Sequence, residues 1–257
     1  MTIKKQKSPS KGIYILPNLF TIAGLFAGFY AIVAAMKGHY DTAAVAIFIA
    51  MLLDGFDGRV ARLTGTESAF GAELDSLADM VSFGIAPALV SYSWALHYLH
   101  KPGWLAAFVF VACAAMRLAR FNTQIGVASK KYFQGLPSPA AAGVLASLVW
   151  LCESYHITMT FDLALVVGLI TALTGLLMVS RVRYYSFKEL NVKNKVPFIM
   201  MLLVLLVVVA VVSAPVTVLF IFFFGYAISG LFISLFYTMR RRRYLLTRLK
   251  RRKNKKL

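Results

Sequence analysis

Apolar positions along the chain come in long blocks broken by short polar or basic intervals, and most blocks are apolar on every face rather than along one stripe. About 20 such residues cross roughly 30 Å of hydrocarbon as a helix. The pattern predicts helices near 18–36, 42–64, 69–97, 103–125, 137–155, 161–181, 196–212 and 217–239. The fold class expected is all-α, a polytopic membrane protein with about eight transmembrane helices and no separate soluble domain. A basic N-terminal segment, 1–12, precedes the membrane domain, 13–239, and a basic tail, 240–257, follows it.

Composition strengthens that reading, because 60% of the 257 residues are hydrophobic and the mean hydropathy is +0.72, more apolar surface than a soluble core of this size buries. The opening "MTIKKQKSPSKG" imitates the start of a signal peptide, but the apolar block after it is long and seven more follow, so it is expected to be retained. Cys113 and Cys152 fall inside predicted helices and are expected to pack there, with no disulfide framework.

Charge sets an orientation. With the N-terminus inside, the cytoplasmic segments carry 26 of the 28 basic residues, and only Lys37 and Lys101 lie on the other side. Both termini and the acidic stretch 54–79 are then cytoplasmic, so the active site is expected at the cytoplasmic membrane face. The four histidines, His39, His97, His100 and His156, lie opposite and receive no chemistry. A net charge of +18 distributed among loops beside helices fits anionic headgroups, whereas no recognition fold is present to direct it at nucleic acid. The tail, with Tyr244, Leu245, Leu246 and Leu249 among its basic residues, reads as a membrane-surface anchor.

The candidate chemistry lies in "LDGFDGRVARLTGTESAFGAELDSLAD", Leu53 to Asp79. Asp54 and Asp57, three apart, share a face at the end of one helix, and Asp75 and Asp79, four apart, share a face at the start of the next. The short turn around "TGTES" lets the two antiparallel helices bring all four together. Converging carboxylates repel one another unless cations neutralise them, and all-oxygen ligands suit Mg²⁺, Mn²⁺ or Ca²⁺. Gly55, Gly58 and Gly71 are expected to clear the walls of the cleft, and Arg62 offers a cation for phosphate oxygens. Together these features describe a diphosphate site at headgroup depth.

The stretch Asp54-x2-Asp57-Gly58-x2-Ala61-Arg62-x8-Gly71-x3-Asp75-x3-Asp79 resembles the signature of the CDP-alcohol phosphatidyltransferases at all eight fixed positions. The resemblance implies a helical membrane enzyme that moves a phosphatidyl group from CDP-diacylglycerol to an alcohol and releases CMP. It further implies a pair of divalent ions held by the four aspartates, Asp79 as the catalytic base, a CDP site lined by Gly58, Ala61, Arg62 and Gly71, and a homodimer. The signature itself does not name the acceptor, with glycerol phosphate, inositol or choline the alternatives, but "LPNLFTIAGLFAGF", "DSLADMVSFGIAPALV", "RLARFN" and "FQGLPSPAAAG" are similar to the serine-using, phosphatidylserine-forming branch of bacteria and archaea, which implies serine as acceptor and a prokaryotic inner membrane.

A serine carboxylate needs a cationic or hydrogen-bonding partner, and Arg117, Arg120 and Asn122 at the cytoplasmic end of the fourth helix are the candidates. Positive-inside anchoring accounts for the two arginines equally well. Ser82 is expected to hydrogen-bond back along its own helix, the alternative being a hydroxyl for the acceptor; Asn18 and Thr21 to start the first helix after Pro17, the alternative being a nucleotide contact at the depth of the aspartates; and Gly24 with Gly28 to permit close helix packing within or between subunits. Pro87, Pro137 and Pro139 are expected at helix ends or kinks. Asp41, Glu153 and Asp162 read as solvated helix-end charges. A prenyltransferase would place its acidic motifs on distant helices, and a cation transporter would place ionisable groups at mid-membrane on later helices. A lipid-binding scaffold would have no use for Asp79.

Overall fold

The computed structural model describes residues 15–66, 68–123, 132–185, 198–232 and 234. The basic segments 1–12 and 240–257, and the expectations attached to them, lie outside this set. Helix α1 (Ile15–Met36) turns through Lys37 and Gly38, whose φ of +79° suits a residue without Cβ, into α2 (Tyr40–Thr64). Gly65, at φ +63°, caps α2 by returning its N–H to the Ala61 carbonyl, and Ser68 then opens α3 (Ala69–Asp79) by accepting the Gly71 N–H at 3.0 Å. These two caps make the sharp reversal between the acidic helix ends.

From Asp79 the chain passes without a break into a π-helical turn, Met80–Ile85, and on into α4 (Ala86–Trp94), whose first turn holds Pro87. A short 3₁₀ turn, Leu96–Leu99, leads to α5 (Lys101–Thr123). Then come α6 (Ser138–Ser154), with Pro137 as its N-cap and Pro139 in its first turn, α7 (Phe161–Val179), α8 (Phe198–Ser213) and α9 (Pro215–Phe232). Asp41 and Asp162 occupy the first turns of α2 and α7, where the helix dipole favours an acid.

The core is built largely from small side chains. Ala27, Ala31, Ala34 and Ala35 of α1 are buried, as are Ala43, Ala44, Ala46 and Ala50 of α2, and nearly every residue from Ser138 to Val149 of α6. Without a hydrophobic driving force between helices in hydrocarbon, such close backbone approach is what packing has to supply. Gly24 and Gly28 serve this packing inside the chain, and a Cβ on Gly28 would lie 2.7 Å from Ser82 Cα. Cys113 and Cys152 are buried free thiols. Large apolar side chains such as Phe26, Phe29, Phe108, Leu169 and Phe222 remain exposed, the pattern of a surface that meets lipid.

Among the described residues, five helical stretches are long and apolar enough to cross a membrane: Pro17–Met36, Ala69–Trp94, Lys101–Thr123, Phe161–Val179 and Pro215–Phe232. The other three expected helices do form, but α2 carries Asp54, Asp57, Arg59 and Arg62 at one end and Asp41 at the other, while α6 and α8 have 17 and 16 residues. The all-α expectation holds, with one small addition to the helices. Tyr132–Gln134 and Arg183–Tyr185 pair as an antiparallel ribbon, β1 and β2, with Phe133 opposite Tyr184. Tyr184 is fully buried and its hydroxyl donates to the Ala227 carbonyl of α9 at 2.9 Å, so the ribbon is pinned to the helical body. Burial pushes the Tyr184 phenol up to about 12, which keeps it a donor. Glu153 also departs from expectation, because Trp94 Nε1 donates to its carboxylate at 2.7 Å.

Candidate active site where α1, α2 and α3 meet

The caps at Gly65 and Ser68 fold the end of α2 onto the start of α3, and the four aspartates line one narrow cleft with Thr21 and Gly24 of α1. Asp54, Asp57 and Asp75 each present an oxygen, and these three oxygens lie within 4.8 Å of one another. Oxygens on opposite sides of a hard divalent ion are about 4–5 Å apart, given metal–oxygen distances of about 2.0–2.6 Å. The donor set therefore fits Mg²⁺, Mn²⁺ or Ca²⁺ in both chemistry and span. Asp79 reaches the same place from one turn further along α3 and is hydrogen-bonded to Asp54. Two carboxyl groups in contact must share a proton or a cation.

Asp57 is held by one group outside the signature and one within it. Thr21 Oγ1 donates to Asp57 Oδ2 at 2.9 Å, and the Gly58 N–H donates to Asp57 Oδ1. Asp57 is consequently buried with both oxygens oriented. Ser82, expected to bond within its own helix, instead donates across to the Gly24 carbonyl of α1 at 3.1 Å.

Beside the acids opens a cavity of about 340 Å³. Gly58, Ala61, Arg62 and Gly71, the four residues expected to receive CDP, all line it, together with Asp57 and Asp75. Gly58 faces open space, and a Cβ on Gly71 would stand 3.1 Å from Ser68 Oγ and 3.2 Å from Asn18 Oδ1 of α1, so a side chain there would crowd the wall. Gly55 lines neither space. Asn18 and Thr21 of α1 also line it, and Pro17, Thr66, Ser68 and Ala72 complete the wall without having been singled out for it. The sequence marked "TGTES" only as a short turn, and nothing in the spacing showed that the hydroxyl-bearing residues Thr66 and Ser68 would line a cavity.

The three acceptor candidates separate. Arg117 faces Asp79 and Asp54 and donates through Nη1 to Ser138 Oγ, which is fully buried at the start of α6. Arg120 turns the other way and donates to the Val179 carbonyl at 2.9 Å, closing the C-terminal end of α7. Asn122 pairs with Ser76, with Nδ2 to Oγ at 3.0 Å, and so ties α5 to α3 next to Asp75. Only Arg117 is brought to the acids. Ser138, its partner, was missed by sequence reasoning, although it stands between Pro137 and Pro139, whose place at a helix start was legible.

Comparison with known proteins agrees with this geometry. The family model described as CDP-alcohol phosphatidyltransferase matches residues 14–177. The chain is 40% identical over 194 residues to a CDP-diacylglycerol–serine O-phosphatidyltransferase of Helicobacter pylori strain J99, covering 76% of this chain and 81% of that protein. The enzyme of that name from Bacillus subtilis strain 168 is 35% identical over 179 residues, covering 70% and 94%. The crystal structure of Mycobacterium tuberculosis phosphatidylinositol phosphate synthase with CDP-DAG bound superposes with a TM-score of 0.50 at 19% identity, covering 63% of this chain and 80% of that one, a likeness of fold. With its signature folded round one cleft and the family model spanning most of its length, the chain belongs to the CDP-alcohol phosphatidyltransferase family.

Proposed function

We propose that this protein transfers the phosphatidyl group of CDP-diacylglycerol to the hydroxyl of L-serine, giving phosphatidylserine and CMP. The observation that carries the reading is the set of three carboxylate oxygens within 4.8 Å, opening onto a cavity walled by Gly58, Ala61, Arg62 and Gly71. The serine preference rests on the relatives named above.

In this reading Asp54, Asp57, Asp75 and Asp79 hold two divalent ions, Mg²⁺ or Mn²⁺ ahead of Ca²⁺. Such ions, when bound, neutralise the diphosphate and the charge that develops on the departing phosphate. Gly58, Ala61 and Gly71 let the CDP moiety lie against backbone, and Arg62 meets phosphate oxygens. Asp79 takes the proton from the serine hydroxyl as that oxygen bonds the lipid-side phosphorus. The phosphorus–oxygen bond to CMP breaks and CMP leaves with the electron pair. Arg117, braced by Ser138, receives the serine carboxylate beside Asp79. Arg120 and Asn122 support α7 and α3 rather than touch substrate.

The finer architecture belongs to the same proposal: a membrane domain over 13–239 with eight helices crossing a prokaryotic inner membrane, both termini and the cleft on the cytoplasmic side, and a homodimer as the working form. His39 precedes α2 and the pair Asp54 and Asp57 lies near its other end, which is consistent with a single active face on one side of the membrane. Purified protein incubated with labelled serine, CDP-diacylglycerol and Mn²⁺ should yield chloroform-soluble label. Lipid label from glycerol phosphate or inositol in place of serine would reassign the acceptor.

A further inference from the structure

We infer that Ser82 is a positioning residue for Asp79, acting through α1. The inference rests on the reading of Asp79 as the proton acceptor. Ser82 follows Asp79 by three residues and is almost completely buried, at 3% exposure. Its hydroxyl donates to the Gly24 carbonyl at 3.1 Å, and its backbone sits so close to α1 that a Cβ on Gly28 would come within 2.7 Å of Ser82 Cα. One turn earlier on the same face of α1, Thr21 holds Asp57. A single strip of α1, Thr21–Gly24–Gly28, thus bonds or abuts both acid-bearing helices and acts as their common reference.

The backbone between Asp79 and Ser82 is the reason such a reference is needed. Met80–Ile85 is a π turn, closed by the Ala86 N–H on the Val81 carbonyl. A π turn holds one more residue than an α turn, and one residue corresponds to about 100° of rotation, so the segment has an alternative α-helical winding in which Asp79 faces elsewhere relative to α4. The Ser82 bond selects the winding that aims Asp79 at Asp54. Loss of the bond leaves no orphaned acceptor, because the Gly24 carbonyl lies in the interior of α1, where the helix ladder already engages it.

The test reads CMP release from CDP-diacylglycerol with each acceptor alcohol offered in turn. Ser82→Ala should lower kcat roughly 10- to 100-fold, the penalty of misplacing a reacting group by about 1 Å, and leave KM for both substrates within about twofold. The unfolding midpoint in detergent should move by no more than about 3 °C. In an Asp79→Glu background, which already displaces the carboxylate, Ser82→Ala should cost less than about twofold further, since two changes acting through one group are not additive. If Ser82→Ala does not fold, Ser82→Cys keeps the volume with a weaker donor and should show the same kcat loss in smaller measure. An unchanged kcat, a rise in KM instead, or an undiminished penalty in the Asp79→Glu background overturns the inference. No CMP release by the unsubstituted protein with any acceptor would sink the transferase reading itself, whereas release that Ser82→Ala leaves intact would sink only this one.

Discussion

Asp57 has one oxygen on the Thr21 hydroxyl and the other on the Gly58 N–H, so its remaining lone pairs point into the cleft in a fixed direction. Loss of such an outer hydrogen bond weakens metal binding by about 10- to 100-fold in metal sites generally. Thr21→Val should therefore raise the Mn²⁺ concentration needed for half-maximal turnover by about that factor, with Thr21→Ser retaining most of the affinity, as a metal titration of activity would reveal. Asp79→Asn removes the basic oxygen but keeps the shape. Turnover should drop by about 10²- to 10⁴-fold while equilibrium binding of CDP-diacylglycerol persists, and an active Asp79→Asn protein would remove the base assignment. The spacing of the four aspartates made their pairing legible, because i, i+3 and i, i+4 neighbours share a face whatever surrounds the helix. The fate of Arg117 and Arg120 was not legible. Positions three apart differ by about 60° around the axis, enough for long side chains to reach different neighbours, here Ser138 and Val179.

The elements follow from the apolar blocks, yet three of their details depend on partners. The π turn after Asp79 has no counterpart in hydrophobic periodicity, since it adds a single residue to a helix that is apolar on most sides. The β1–β2 ribbon is equally silent, because three-residue strands are too short to display a period of two. What makes the ribbon part of the fold is Tyr184, whose ring occupies the space that a Cβ on Gly230 would need. Tyr184→Phe keeps the ring and removes the hydroxyl that meets the Ala227 carbonyl. It should destabilise the protein by about 1 kcal/mol, read from thermal unfolding in detergent, and the loss should be flat with pH below the raised phenol value near 12.

For the whole molecule, the acid cleft is a place where like charges are gathered at the expense of stability unless cations join them. Ions that bind only the folded state raise its stability by mass action, about 2.7 kcal/mol at 100 times the dissociation constant. Chelation with EDTA should abolish turnover and lower the unfolding midpoint together, and Mg²⁺ or Mn²⁺ should restore both. A protein whose unfolding ignores chelator and metal would argue that the three oxygens near Asp54 hold no ion. Asp57 of α2 and Asp75 of α3 border both the acid cleft and the glycine-walled cavity beside it, so the proposed metal and nucleotide sites would share one wall.

The sequence by itself determined a membrane helical protein, the two acid pairs and the glycine and arginine positions that surround them, because hydrophobic blocks and helical spacing are local properties that no neighbour can alter. Only the tertiary structure decided that α1 would be the shared support of those pairs, that Ser82 would reach across to Gly24, and that one of two arginines would face the acids. Those outcomes depend on the rotation of each helix about its axis and on the side chains it meets, which are set by packing between segments far apart in the chain.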